Sequence, residues 1–169
     1  AMQEGSVSGL TWSVRNAVGT RPLFANFGAV NLPQLSAIQD LGRILDSIEA
    51  DALILHLNPM QEVFQPNGDT DWTNIIDHIA QVCAWSPVPV VVKEVGFGLD
   101  VQSAKELASI GVNVLDVAGM GGTPFADIEI ALNAEIRQTL STDNVFDHWG
   151  YTTIESLGMI KKELPTMTC

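Results

Sequence analysis

The chain has 169 residues, 46% hydrophobic and only 17% charged, which is enough apolar material for one domain with a sizeable core and argues against disorder. Acidic residues outnumber basic ones 20 to 8, giving a formal net charge of -12; this excludes a general affinity for nucleic acid or for an anionic membrane surface. An anionic ligand on so acidic a chain needs a divalent cation or a local basic group to hold it.

In chain order, residues 22–26 (PLFAN) read as a strand. Leu35, Ile38, Leu41, Leu45 and Ile48 then recur at helical spacing. Residues 52–57 (ALILHL) form a second strand, and Trp72, Ile75, Ile76, Ile79 and Cys83 mark one face of the next helix. Residues 89–93 (PVVVK) are β-branched, as expected of a strand buried on both faces. Residues 101–110 read as a helix, with Asp100 placed to cap its start and Gly111 to end it. Residues 113–117 (NVLDV) are a fourth strand, followed by a helix over 125–137 and a polar loop over 141–151. Thr152 and Glu155 have capping-box spacing and open a helix carrying Ile154, Leu157, Ile160 and Leu164. Residues 166–169 look like the start of a further strand.

Strands and helices alternate without a hairpin signal, which points to βαβ units and a parallel sheet. Residues 1–169 show no repeat, low-complexity tract or linker, so one domain is expected. Each strand stays apolar until its C-terminal edge and then turns polar or glycine-rich. Asn26 ends the first and His56 and Asn58 the second, with Gln61 and Glu62 just beyond; Lys93 and Glu94 end the third, and Gly119, Gly121, Gly122 and Thr123 follow the fourth. Four polar strand ends are harder to explain on a doubly wound sheet, whose site forms at one crevice. They favour a (β/α)8 TIM barrel, whose strand ends converge on one mouth. At 169 residues such a barrel would be incomplete, since a whole one takes roughly 250.

Lys93 closes a run of valines and cannot leave its charge in an apolar core. Its ammonium is expected to face an anion, an electron-rich ring or a carboxylate such as Glu94. His56 suits anion binding or proton transfer, or is a hydrogen-bonded packing residue; the neighbouring Asn58, Gln61 and Glu62 favour a site. Glu62 is a hard oxygen ligand of the kind magnesium takes, or else an exposed loop carboxylate. Residues 119–123 (GMGGT) allow close backbone approach at a helix start, but match neither a Walker loop nor the dinucleotide fingerprint. His78 and His148 read as structural or exposed. The four tryptophans are scattered and make no platform for bases. Cys83, on an apolar helix face, reads as a buried thiol, and neither it nor Cys169 has metal-type spacing. With no leader or membrane-length apolar run in view, a reduced cytoplasmic protein is expected.

Three segments, residues 56–69 (HLNPMQEVFQPNGD), 89–98 (PVVVKEVGFG) and 116–123 (DVAGMGGT), resemble the hallmark segments of type 2 isopentenyl diphosphate isomerases. Residues 24–29 (FANFGA) and 149–157 (WGYTTIESL) are similar to weaker segments of that family, in the same order. The resemblance covers residues 5–169. It implies an FMN-binding barrel, a magnesium ion and a homo-oligomer, a homotetramer or homooctamer. The implied reaction interconverts isopentenyl and dimethylallyl diphosphate through a proton shift, with reduced FMN as acid-base cofactor and NADPH only as its reductant. By motif, Asn26, Lys93 and Thr123 contact FMN, and Ser6, beside Gly5, sits where the family has a glycine-serine pair near the flavin. His56, Asn58 and Gln61 face the substrate, Gln61 and His56 being the candidate catalytic groups, and Glu62 holds magnesium against the diphosphate.

The family's basic N-terminal segment, its Met-Thr-Gly-Gly strand end and its later Ser-Gly-Gly phosphate turn have no counterpart here, and Val7 and Ser8 stand where it has Gln-Arg. The chain is therefore expected to carry barrel strands three to six and fragments of two others, either as a truncated piece or with its flanking segments missing from the sequence; 169 residues alone would bind FMN weakly and catalyse poorly. Two other readings remain. An FMN-dependent oxidoreductase of hydroxy-acid oxidase type needs a histidine-arginine pair, yet no arginine follows a histidine near a strand end. A catalytically impaired fragment would associate through its exposed sheet edges.

Overall fold

Short runs of β-branched and leucine residues, each followed by an amphipathic helix, build a parallel sheet because parallel neighbours need a crossover between them. The structure, a computed structural model, describes residues 14–123, 125–133 and 149–169. Its strands are β1 (Phe24–Gly28), β2 (Ala52–His56), β3 (Val90–Lys93) and β4 (Val114–Asp116), paired in the order β1-β2-β3-β4, every pair parallel. The helices are α1 (Arg15–Val18), a 3-10 helix (Ala29–Gln34), α2 (Gln39–Ile48), α3 (Pro59–Phe64), α4 (Ile75–Trp85), α5 (Val101–Ser109), α6 (Phe125–Leu132) and α7 (Thr153–Glu163). No described helix is long and apolar enough to cross a membrane.

The expected (β/α)8 TIM barrel is not what the described residues form: they make an open four-stranded sheet. Among them nothing pairs with the outer edge of β1, and β4 gains only a parallel bridge from Val114 to Thr168. The polar strand ends suggest closure, but sequential strand order alone lines the four C-terminal ends along one edge of an open sheet. Convergence therefore does not require a barrel. The incipient strand read at residues 166–169 corresponds to the Thr168 bridge, with the Leu115 amide donating to the Thr168 carbonyl at 2.9 Å.

One face of the sheet is sealed. Ala25, Leu53, Leu55, Val90, Val92 and Leu115 share a buried cluster with Leu41 and Leu45 of α2, Ile79 and Val82 of α4, Ala104 and Leu107 of α5, and Ile160 of α7. Burying each such leucine, isoleucine or valine contributes on the order of 1.5–3 kcal/mol. The strand residues in that cluster alternate with those on the opposite face, where Asn26 is exposed and Phe24 retains 51% of its exposure. A smaller apolar cluster of Phe64, Phe97 and Ala126, with Met60 and Ile130, joins α3 to α6 beyond the strand ends.

The ends of the helices follow their local chemistry. Asp100 accepts from the amides of Gln102 and Ser103, and Gly111 after α5 has φ +97°. Thr152 and Glu155 form the expected reciprocal capping box. Two elements carry no sequence assignment: the chain after β1 turns at once into the 3-10 helix, and residues 59–64 are helical with Pro59 in the first turn. Loops beyond the strands are tied to one another: the Tyr151 amide donates to the Phe97 carbonyl at 2.8 Å and the Met120 amide to the Tyr151 carbonyl at 2.8 Å.

Ser156 pins α7 to the loop after β3. It is fully buried, its hydroxyl donating to the Leu99 carbonyl at 2.6 Å and accepting from the Leu99 amide at 3.1 Å. Ser156→Ala leaves both main-chain groups without this partner and is expected to lower the unfolding free energy by about 2 kcal/mol. Urea unfolding checks it, and a loss below about 0.5 kcal/mol contradicts the pin.

Candidate active site

Pairing register sets the geometry. Gly28 stands opposite His56, His56 opposite Lys93 and Lys93 opposite Asp116, and each is the last residue of its strand. Because strand side chains alternate between faces, these residues share the open face with Asn26, Ile54, Val91 and Val114, two positions back. β1 runs to Gly28 rather than ending at Asn26, so Asn26 lies inside the strand but still on this face. Its Oδ1 lies 3.3 Å from His56 Nδ1. An amide oxygen only accepts, so this contact places the ring proton on Nδ1 and leaves Nε2 open.

His56 is half-buried, and burial first, then the positive charge of Lys93, holds its imidazole below the ordinary value of 6.5, against the opposing pull of Glu62. The ring is therefore neutral at neutral pH. Lys93 meets a main-chain partner: its Nζ donates to the Glu94 carbonyl at 3.1 Å. The Glu94 carboxylate, 7% exposed, turns away to accept from the amides of Val95, Gly96 and Phe97 at 2.6–2.9 Å. Burial raises its protonation range and those amide bonds oppose the shift. Lys93 forms no ion pair among the described residues, so its charge is available to a ligand; of the partners expected for it, the Glu94 carboxylate is not the one it meets.

Asn58 and Glu62 are held together at the entry to α3. Asn58 is 4% exposed and its Nδ2 donates to Glu62 Oε1 at 2.6 Å, while the Asp69 amide donates to Oε2 at 2.9 Å. Asn58 Oδ1 is buried without a partner, an unusual state for a buried acceptor. No group of three or more His, Cys, Asp or Glu side chains among the described residues could hold a metal by itself. A hard cation here would rest on the Glu62 carboxylate, with a neighbouring amide oxygen and ligand oxygens completing the shell.

Gln61 is tied to α6 through its amide nitrogen. Its Nε2 donates to Glu129 Oε1 on α6 at 2.9 Å, and Gln65 Nε2 donates to the same oxygen at 2.9 Å. No local spacing announces Glu129, because it lies more than sixty residues from both amides in a mostly apolar helix. Thr123 sits exposed in the glycine loop before α6. His78 is structural, its Nδ1 lying 2.9 Å from the Asn74 carbonyl. Ser6 and His148 lie outside the described residues. The structure thus brings Asn26, His56 and Lys93 to one face, sets Asn58 and Glu62 beside them, and ties Gln61 to α6.

No family model matches the chain. Over 152 residues it is 42% identical to the isopentenyl-diphosphate delta-isomerase of Rickettsia typhi, an alignment covering 90% of this chain and 44% of the relative. The protein of the same name from Cronobacter sakazakii is 43% identical over 159 residues, 94% of this chain and 46% of its own length. That of Pseudescherichia vulneris is 42% identical over 167 residues, 99% and 48%. The chain spans about half the length of the curated relatives it matches.

Since the folded chain binds the His56 proton less readily than the unfolded chain, stability present above pH 6.5 is lost as the pH falls through the lowered folded value. His56→Gln is expected to flatten that part of the stability profile. In the folded protein, Lys93→Gln raises the His56 titration midpoint and Glu62→Gln lowers it, followed by NMR of the ring protons. A midpoint unmoved by Lys93→Gln contradicts the proximity of the two groups.

Proposed function

We propose that this chain carries the ligand-binding face of an FMN-dependent isopentenyl-diphosphate delta-isomerase, interconverting isopentenyl and dimethylallyl diphosphate. Relatives bearing the isomerase name, 42–43% identical over most of the chain, support the reaction. The observation that carries it is the register that sets a neutral histidine beside a lysine with no carboxylate partner among the described residues, next to a carboxylate clamped by a buried amide.

The reaction adds a proton at the terminal methylene carbon and removes one from the carbon nearer the diphosphate. No electrons are gained or lost overall. Bound reduced FMN would supply the proton-exchanging group that the side chains lack, NADPH serving only to reduce it beforehand. The donor set fits that cofactor. Lys93 offers a half-buried ammonium to an anionic ring edge, Asn26 an amide on the same face, and Gly121 and Gly122 bare backbone, since a Cβ at either would meet nothing within 4 Å. Thr123 and Ser6 complete the proposed flavin contacts.

The diphosphate has to be held on a chain of net charge -12. The orphaned Oδ1 of Asn58 and the Glu62 carboxylate are hard oxygens suited to magnesium. Glu62 would hold the ion, whose charge offsets repulsion between the diphosphate and the protein, while His56 and Asn58 orient the substrate. Gln61 positions or relays a proton near the alkene, its orientation fixed by Glu129: with Nε2 donating to Glu129, its Oε1 is the end left for the substrate. Two free thiols, Cys83 and Cys169, suit a reducing compartment such as the cytoplasm. Ile154 and Leu132, 84% and 78% exposed, suit burial in a homo-oligomer.

Anaerobic incubation of the chain with isopentenyl diphosphate, FMN, magnesium and NADPH is expected to yield dimethylallyl diphosphate. FMN binding without turnover favours a catalytically impaired piece, and absence of both FMN and substrate binding rejects the reading. Glu62→Gln is expected to weaken magnesium-dependent substrate binding about tenfold, in the range for one charged ligand; unchanged magnesium dependence in calorimetry rejects the metal role.

A further inference from the structure

The loop after α3 closes back on Glu62. Residues 65–68 (QPNG) form a turn in which the Gly68 amide donates to the Gln65 carbonyl at 3.2 Å. Pro66 and Gly68 stand at the positions such a turn favours for them. Gly68 then passes so close to α3 that a Cβ on it would overlap the Glu62 carbonyl oxygen. One residue on, the Asp69 amide holds the Glu62 carboxylate at 2.9 Å. A glycine at position 68 is thus required for the loop to reach that carboxylate.

The same glycine leaves the main chain chemically open. It offers no side chain to shield its amide nitrogen from the carboxamide of Asn67, the only asparagine in the sequence that glycine follows. Asn67 is exposed to water. We propose that Asn67 is a site of spontaneous deamidation, and that the isoaspartate formed there releases Glu62 from the Asp69 amide. The modification stands on the loop alone; its effect on binding rests on the reading of Glu62 as the magnesium ligand.

In the reaction the Gly68 amide nitrogen loses its proton to water and attacks Asn67 Cγ. A bond forms between that nitrogen and Cγ, the bond from Cγ to Nδ2 breaks, and ammonia leaves with a proton taken from water. Water then opens the cyclic imide. Opening at Cγ gives aspartate; opening at the main-chain carbonyl gives isoaspartate, with the chain now running through Cβ and Cγ. Overall one water is consumed and one ammonia released, with no change in oxidation state. The isoaspartate path is longer by one carbon, about 1.5 Å of main chain, and the close seat of Gly68 on Glu62 has no slack for it. The turn opposes the reaction, because the amide nitrogen has to leave the Gln65 carbonyl before it can attack. That opening is local, since residues 65–69 belong to neither apolar cluster.

Incubation of the chain at pH 8 tests this, followed by peptide mass spectrometry, by hydrogen exchange in NMR and by calorimetry with isopentenyl diphosphate, FMN and magnesium. Residue 67 is expected to gain one mass unit and convert to isoaspartate ahead of every other asparagine. As it converts, exchange at the Asp69 amide rises about tenfold, the scale of one hydrogen bond to a charged acceptor. Magnesium-dependent affinity falls toward that of Glu62→Gln. Asn67→Gln keeps an amide but closes its larger ring far more slowly, and is expected to hold both values through the same incubation. Freshly prepared Asn67→Asp adds the charge on a main chain of ordinary length and is expected to keep the Asp69 amide protected. Residue 67 still unconverted when a urea-unfolded sample has converted fully overturns the modification. Conversion that leaves Asp69 exchange unchanged, or fast exchange in fresh Asn67→Asp, overturns the release of Glu62. Failure of the fresh chain to bind isopentenyl diphosphate rejects the isomerase reading alone, because mass and exchange still report on Asn67.

Discussion

In-register pairing of four parallel strands is the constraint from which the rest follows. Hydrogen bonding fixes His56 level with Lys93 and Gly28 level with His56, and the two-residue repeat of a strand then assigns each side chain a face. Leucines and valines at the intervening positions are locked against α2, α4, α5 and α7. A slip of one residue would drive Lys93 and His56 into that apolar layer and put leucines in the open. The hydrophobic core and the polar edge are thus one specification: the residues that stabilise the sheet also aim the residues that act.

Much of this is legible in the sequence. The β-branched run before Lys93, the Asp100 cap and the Thr152–Glu155 box are local signals, and each element forms where its chemistry points. The concentration of polar groups at strand ends is legible too, because an apolar run that turns abruptly to His-Leu-Asn or Lys-Glu has to bring those groups to an edge rather than bury them unpaired. Closure of a sheet has no such signature. It depends on which edges find partners, and periodicity is blind to edges. The same four polar ends that suggest a barrel are accounted for by sequential order in an open sheet. The six-residue helix at Pro59 and the 3-10 turn at Ala29 are too short for a helical period to show. Tertiary partnerships are also invisible to local patterns, as with Glu129 and its two glutamines.

Charge distribution leaves a cation uncompensated on the open face of an acidic chain, where the proposed anion would sit. Among the described residues, Arg15, Arg43 and Lys105 are paired with Asp51, Asp40 and Glu163, and Lys161 donates to carbonyls after α7. Lys93, which like Lys161 donates to a carbonyl rather than a carboxylate, differs in being placed on the open face of the sheet. The adjacent acid, Glu94, is kept from neutralising it by three main-chain amides that claim its side chain. The geometry of residues 94–97 therefore does two things at once: it satisfies a buried carboxylate, and it leaves a cation uncompensated beside His56.

The central claim is that His56 and Lys93 line one site from adjacent strands, Lys93 toward the proposed flavin and His56 toward the substrate bound against it. A double-mutant cycle on isopentenyl diphosphate affinity, using His56→Ala, Lys93→Ala and the double variant with FMN and magnesium present, measures this directly. Shared engagement predicts a coupling of about 0.5 kcal/mol or more, whereas losses that add to within about 0.3 kcal/mol would mean that the two residues serve separate sites.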